Sequence, residues 1–317
     1  MNRRDFVALG ATTALGWATG CTTRKAQPGE GIIDTHTHFY DPSRAQGVPW
    51  PPKDDPVLYR RFLPQEFVQL TRPLGVTGTV VVEASPWVED NSWLLDLAAE
   101  NPVILGVVGN LVPGTPDFPA HLRRFARNPR FRGIRIGLEP MKAALSGGTA
   151  RRDLERLADS NLSLDLLIPP DHMIEATRLA QQIPSLRMVV DHCCNVPVGP
   201  LPPQAWIDGI SASQETPNLF MKISGLVEGT GRRGGQPPQD PAFYQPTVRS
   251  ILKSFGPDRV LFGSNWPVSL HFAQYRTVLD IVNQEFLSLG TSVHHRYFRE
   301  NAIRFYGLSI GSQNGIG

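Results

Sequence analysis

Short apolar runs rich in β-branched residues recur along the chain at 31–38, 78–85, 103–112, 133–138, 162–168, 186–192, 219–225 and 259–266. Between several of them lie stretches with apolar residues at helical spacing, at 91–100, 119–128, 151–160, 173–182 and 246–255. Strands alternating with helices predict parallel strands joined by right-handed crossovers. The runs are nearly continuous in apolar character, as expected of strands covered by helices on one side and packed on the other. Eight such units without an interior linker predict a single-domain α/β fold, a (β/α)8 TIM barrel over residues 27–308; a doubly wound sheet normally has fewer strands.

Two segments break the rhythm. Residues 39–64, rich in proline and aromatics, form an extended loop after the first strand, and residues 229–238, with Arg232-Arg233-Gly234-Gly235, form a basic loop after the seventh. Both follow strand C-termini, where barrels of this kind place their active sites, so both are candidate lids or specificity loops. Residues 1–26 read as an export leader outside the fold. Arg3-Arg4-Asp5-Phe6 precedes a weakly apolar run at 7–17, too short to span a bilayer as a mature helix. The paired arginines resemble a twin-arginine (Tat) signal, and small residues before Cys21 resemble a lipoprotein cleavage box. The expectation is an exported, periplasmic protein whose only membrane attachment is a lipid on Cys21, plain cleavage nearby being the alternative. The glycine-rich residues 309–317 read as a flexible tail.

Composition adds limits. The net charge of +2 on 317 residues, with no long basic run, gives no footprint for nucleic acid or a membrane surface. The chain has 3 cysteines, so removal of the leader leaves only Cys193 and Cys194. Adjacent cysteines bridge only through a strained ring. They read as small buried side chains, with thiolate metal ligation as the alternative.

The candidate chemistry lies at the strand ends. Asp34-Thr35-His36-Thr37-His38 closes the first run; strand alternation puts Asp34, His36 and His38 on one face, where two imidazoles can bind a divalent metal. Glu83 ends the second strand, Arg135 the fourth, Asp191 and His192 the sixth, Lys222 and Ser224 the seventh, and Ser264 and Asn265 the eighth. Unpaired buried charges cost several kcal/mol, so this convergence on one barrel mouth favours a catalytic site over a structural ion-pair network. His172, His271, His294 and His295 fall in helices or loops and read as surface or packing residues.

The runs Ile33-Asp34-Thr35-His36-Thr37-His38, Val190-Asp191-His192 and Val260-Leu261-Phe262-Gly263-Ser264-Asn265-Trp266-Pro267-Val268 together resemble the amidohydrolase superfamily. The branch they most resemble is the amidohydrolase-related (amidohydrolase 2) group with sugar lactonases and pyrone dicarboxylate lactonase. Gly133-Ile134-Arg135 and the segment 300–308 are similar to that group's fourth-strand and final-helix elements. The resemblance implies a barrel that hydrolyses cyclic esters, or less often C–N or C–C bonds. It places His36, His38 and His192 around the reacting centre, as ligands of a metal such as zinc or, in metal-free hydrolysis, of the substrate. Arg135 would hold a substrate carboxylate or carbonyl oxygen with its guanidinium fork.

One residue departs from the pattern. The group's eighth strand ends Gly-Ser-Asp-Trp-Pro, whose aspartate ligates metal or activates water, and this chain has Asn265. An amide orients water or donates to an oxyanion but cannot take up its proton. Glu83 is the leading replacement base; Asp191 is next, although alternation with His192 turns it away; Asp34 is expected to orient a histidine from behind. The resulting expectation is a lactone hydrolase with catalytic Glu83, Arg135, His192 and Asn265. Its substrate is a small anionic or sugar-like molecule bound by His36, His38, Arg135 and Lys222, with Arg232 or Arg233 adding positive charge. Two alternatives remain: a catalytically impaired ligand-binding barrel, motivated by Asn265, and a metal-dependent decarboxylase of the same superfamily.

Overall fold

A computed structural model describes residues 31–310. The leader with Cys21, and most of the tail, lie outside the described residues. Eight strands form one parallel sheet in chain order: β1 (Ile32–Thr37), β2 (Val76–Val82), β3 (Ile104–Gly109), β4 (Phe131–Ile136), β5 (Ser163–Leu166), β6 (Met188–Val190), β7 (Leu219–Ile223) and β8 (Val260–Phe262). Just past the strands, Thr37 bridges Trp266 in parallel, and the His38 N–H donates to the Trp266 carbonyl at 2.8 Å. These contacts bring β8 back to β1, giving the expected TIM barrel.

The helices follow the expected spacing because each has one apolar stripe to bury. Phe118–Phe125 buries Phe118, Leu122 and Phe125, one helical face, and leaves its two arginines in the last turn. Asp90–Glu100, Met173–Gln182 and Gln245–Phe255 do the same within a residue or two of the sequence reading. Helices Pro64–Thr71 and Gln245–Phe255 carry proline in the first turn, where its missing N–H costs nothing.

Strand alternation creates two cores. Val107, Ile134, Leu164, Met188, Leu219, Val260 and Phe262 face the helices. Val80, Val82, Val108, Val189, Phe220 and Leu261 form a second cluster, closed by Phe305, Tyr306 and Leu308 from the end of the chain. One step of two residues beyond this inner layer come Asp191 (after Val189) and Lys222 (after Phe220), so the same periodicity that builds the core aims these charges inward. No helix among the described residues is long and apolar enough to cross a membrane.

Candidate active site

The strands' C-terminal ends enclose a cavity of about 540 Å³, lined in part by His38, Glu83, Arg135, His192 and Asn265, with Trp50, Leu111, Leu167 and Val268 as apolar walls. Trp50 comes from the 39–64 loop, which therefore does border the site. Arg232 and Arg233 do not line it; their guanidinium groups lie 5.7 and 5.8 Å from the rings of Phe243 and Phe272.

Strand β1 carries its histidines in two layers. Its pairing with β2 is irregular between Asp34 and Thr37, so strict alternation fails there. Asp34 accordingly does not orient a histidine ring. Its carboxylate accepts the Ser264 and His36 N–H groups and the Tyr275 hydroxyl, tying β1 to the end of β8 and to helix Tyr275–Ser288. His36 is fully buried beneath the cavity, against Gly263, where a Cβ would come within 2.7 Å of the His36 Cβ. His38 reaches the cavity wall.

Lys222 differs from the expectation of a substrate-binding residue. It is fully buried and absent from the cavity lining. Its Nζ lies 2.5 Å from Asp165 Oδ2, 3.1 Å from Asp191 Oδ1 and 3.2 Å from His36 Nδ1, and Tyr306 donates to the same Asp165 oxygen at 2.9 Å. Burial raises the Asp165 carboxyl to about 6. Burial pushes Asp191 the same way, but the Lys222 ammonium and His36 outweigh it and hold Asp191 well below the usual carboxylate range. Asp165 and Tyr306 were missed in the sequence, although one aspartate inside the run Ser163-Leu164-Asp165-Leu166 was a readable signal.

Asp191 and His192 both face inward, contrary to the alternation argument. The backbone turns left-handed at His192 and stays so through Cys193, Cys194 and Asn195, with φ of 54°, 52°, 61° and 49°. Each non-glycine residue in that region costs about 1–2 kcal/mol. The turn is tied down on every side. His192 Nδ1 bonds Ser224 Oγ at 2.9 Å, Trp206 Nε1 donates to the Cys193 carbonyl at 2.9 Å, and Asn195 Nδ2 donates to the Ile168 carbonyl at 2.9 Å. The thiols donate to the Ser224 and Pro169 carbonyls. Gly225 is required opposite, since a Cβ there would lie 2.8 Å from the His192 Cβ. Both cysteines are free and buried. Burial pushes Cys193 up to about 12 and Cys194 higher, and among the described residues neither belongs to a cluster of metal-ligating side chains.

Glu83 and Arg135 form one unit. Arg135 Nε donates to Glu83 Oε1 at 2.9 Å, one Nη donates to the Glu83 carbonyl at 2.7 Å, and Glu83 Oε2 accepts the Ser85 N–H at 3.0 Å. Both carboxylate oxygens are thus engaged, which suits Glu83 to holding the guanidinium and leaves Arg135 Nη1 for a ligand oxygen.

Asn265 sits with φ of 57°, a conformation asparagine tolerates better than most residues. Its Nδ2 donates to Glu228 Oε1 at 2.9 Å, and its Oδ1 lies 3.3 Å from His38 Nε2. His38 Nδ1 lies 2.9 Å from the Val82 carbonyl, which only accepts, so the proton is on Nδ1 and Nε2 bears a lone pair. Burial, then the Arg135 charge, push His38 down to about 3, so the ring is neutral. Burial brings His192 down to about 4 against the pull of Asp191. Two acceptors therefore face one another at the cavity wall.

A family model for amidohydrolases matches residues 33–308. The chain belongs to the amidohydrolase family. This amidohydrolase is 33% identical over 282 residues to an L-fucono-1,5-lactonase of Burkholderia ambifaria, covering 86% of the chain and 94% of that protein. It also superposes, with a TM-score of 0.80 and 25% identity, on a Burkholderia multivorans amidohydrolase crystallised with zinc, across 88% of this chain and 99% of that one. A structure named for a 2-pyrone-4,6-dicarboxylic acid hydrolase of Pseudomonas putida shares the fold, with a TM-score of 0.72, 20% identity and coverage of 89% and 99%.

The amidohydrolase has one donor set suited to a metal among the described residues. Ligand atoms of His36, Asp191 and His192 lie within 4.8 Å of one another. His36 Nε2 and Asp191 Oδ2 are buried without a hydrogen-bond partner, Asp191 Oδ1 lies 3.1 Å from the Lys222 ammonium, and His192 has its Nδ1 engaged by Ser224, leaving Nε2 free. Two imidazoles and a carboxylate with orphaned donor atoms fit a divalent ion. His38, expected in this set, lies outside this cluster, with its Nε2 lone pair 3.3 Å from Asn265 Oδ1.

Proposed function

We propose that this hydrolase opens lactones, with a neutral sugar-like lactone as substrate. The observation that carries the reading is the acceptor pair of His38 Nε2 and Asn265 Oδ1 in the same cavity as Arg135. A water beside these two acceptors donates an O–H to His38 Nε2 and turns its lone pairs away from both. That water attacks the lactone carbonyl while His38 Nε2 takes its proton. The carbonyl oxygen, now an oxyanion, is held by Arg135 Nη1. The tetrahedral centre then collapses, the ring C–O bond breaks, and the leaving alkoxide recovers the proton from His38, giving an open hydroxy acid. In the resting site the Arg135 charge is one cause of the low basicity of His38. An oxyanion against Arg135 offsets that charge, so His38 becomes a better base as attack proceeds.

Substrate class follows from the charges. Lys222 is sealed beneath the cavity and Arg135 is neutralised by Glu83, so among the described residues no unbalanced cation of the kind an anionic substrate requires lines the mouth. Trp50 offers an apolar face to the C–H side of a sugar ring. The L-fucono-1,5-lactonase relative supports the same class. His36, Asp191 and His192 would hold a divalent metal such as zinc, which polarises a carbonyl or lowers the pKa of a bound water. The twin-arginine-like leader supports action outside the cytoplasm, with a lipid on Cys21 as the membrane attachment.

The test is a panel of sugar 1,5- and 1,4-lactones and 2-pyrone dicarboxylate, assayed by acid release with and without chelator. The expected result is ring opening of neutral sugar lactones in preference to the dicarboxylate. Ligand binding without turnover of any lactone would establish the non-catalytic barrel instead. For the metal, the purified protein is expected to bind about one zinc per chain, and His36→Ala with His192→Ala to abolish that binding. Unchanged stoichiometry in the double variant would refute the assigned ligand set.

A further inference from the structure

We propose that Glu228 is a positioning residue that locks the Asn265 amide with its oxygen toward His38, supplying from a neighbouring loop the carboxylate that the end of β8 lacks. The inference rests on the lactone-opening reading above and deepens it.

The argument starts from an unfavourable contact. His38 Nε2 carries a lone pair, and a free asparagine beside it would rotate to donate its N–H. The amide here is turned the other way, acceptor to acceptor at 3.3 Å. Glu228 accounts for this orientation, because its Oε1 takes the Nδ2 hydrogen at 2.9 Å. A carboxylate is the stronger acceptor, so it wins the amide hydrogen from the imidazole. Donating to an anion also polarises the amide and places more negative charge on Oδ1, the atom that faces the water. In effect Glu228 keeps His38 free to act as a base.

The carboxylate is built in. Glu228 opens the short turn Glu228–Thr230, whose Gly229 N–H donates to the Gly225 carbonyl at 2.9 Å and whose Gly229 carbonyl accepts the Val198 N–H at 2.8 Å. This pins the turn both to the end of β7 and to the segment that follows His192. Glu228 Oε2 is buried without a partner, and no cation pairs with Glu228 among the described residues. The titratable groups that feel its charge are the Cys193 thiol and the Tyr244 hydroxyl, and Arg232 also acts on Tyr244. Burial raises Glu228 to about 7 against the Asn265 hydrogen bond. The ionised form is the one that polarises Asn265, so turnover rises with pH through this midpoint.

The test compares Glu228→Gln and Glu228→Ala with the wild type on whichever sugar lactone turns over fastest, across pH 5.5–8.5. Glu228→Ala is expected to lower kcat about tenfold or more with KM within about twofold, because the amide becomes free to block His38. Glu228→Gln is expected to fall between and to lose the rise in kcat near pH 7. A merely structural carboxylate would leave the pH profile in place. Wild-type kcat and pH profile in both variants would overturn the proposal. A second readout needs no activity: the carbon-13 signal of the Glu228 carboxyl should titrate near pH 7 and move higher in Asn265→Ala, which removes its donor. An unmoved midpoint overturns the pairing even if lactones open. A moved midpoint in a protein that opens no lactone sustains the pairing and refutes the hydrolase reading instead.

Discussion

His38→Ala lowers kcat for lactone opening by about 10²–10⁴-fold, the usual contribution of a positioned general base, and leaves the melting temperature close to wild type. The size follows from what the ring does. Its Nδ1 is committed to the Val82 carbonyl and its Nε2 presents a lone pair at the cavity wall beside Asn265. Glu83 is committed elsewhere: one oxygen accepts from Arg135 and the other from the Ser85 N–H, so taking up a proton would weaken the ion pair that holds the guanidinium. Because His38 is depressed to about 3, it is unprotonated throughout the neutral range. Any acid limb in the wild-type profile near pH 7 must then come from elsewhere, and it should vanish in Glu228→Gln. Steady-state kinetics on the best lactone decide this. A variant within threefold of wild type would move the base role away from His38, with Asp191 the next ionised group.

Lys222→Met destabilises the fold by about 3–5 kcal/mol, the range for removing one partner of a buried ion pair. The methionine fills most of the lysine's volume but leaves Asp165 and Asp191 facing each other without a cation. The loss depends on pH in a definite direction. Without Lys222 both carboxyls have folded pKa values raised above the unfolded value near 3.9. A raised group contributes stability below its unfolded pKa and loses it as pH climbs through the folded one. In the wild type, of these two carboxyls Asp165 alone behaves this way, at about 6. The deficit of the variant is therefore smaller at pH 5 than at pH 8. Urea unfolding at both pH values measures it, and equal stability of the two proteins at pH 8 would show that Lys222 does not hold the barrel interior together.

These two residues also mark how far the chain could be read before folding. Eight apolar runs, each ending in polar residues, were legible because strand burial and barrel geometry act on short, regular patterns. Lys222 was placed at the right strand but at the wrong depth. Alternation puts it inside with Phe220, yet the difference between barrel floor and barrel mouth depends on how the strands tilt and stagger, which one run cannot reveal. Alternation puts Asp34 on the histidine face, but β1 is irregular before Thr37 and the carboxylate turns to Ser264 and Tyr275. Asp191 was assigned outward because alternation assumes extended backbone, and the left-handed turn at His192 violates it. Glu228 left no trace: it lies in a loop with no periodicity and matters only because the fold brings it to Asn265.

The turn at 192–195 bears on how this site could be re-engineered. A randomised library that treats the four positions as ordinary loop would be filled with misfolded members, since β-branched and bulky residues resist positive φ. Glycine, asparagine and aspartate are the admissible alphabet at Cys193 and Cys194, and glycine there would remove backbone strain while giving up the thiol contacts to the Ser224 and Pro169 carbonyls. Diversity is better placed on Leu111 and Val268, cavity walls whose backbone lies outside the left-handed region.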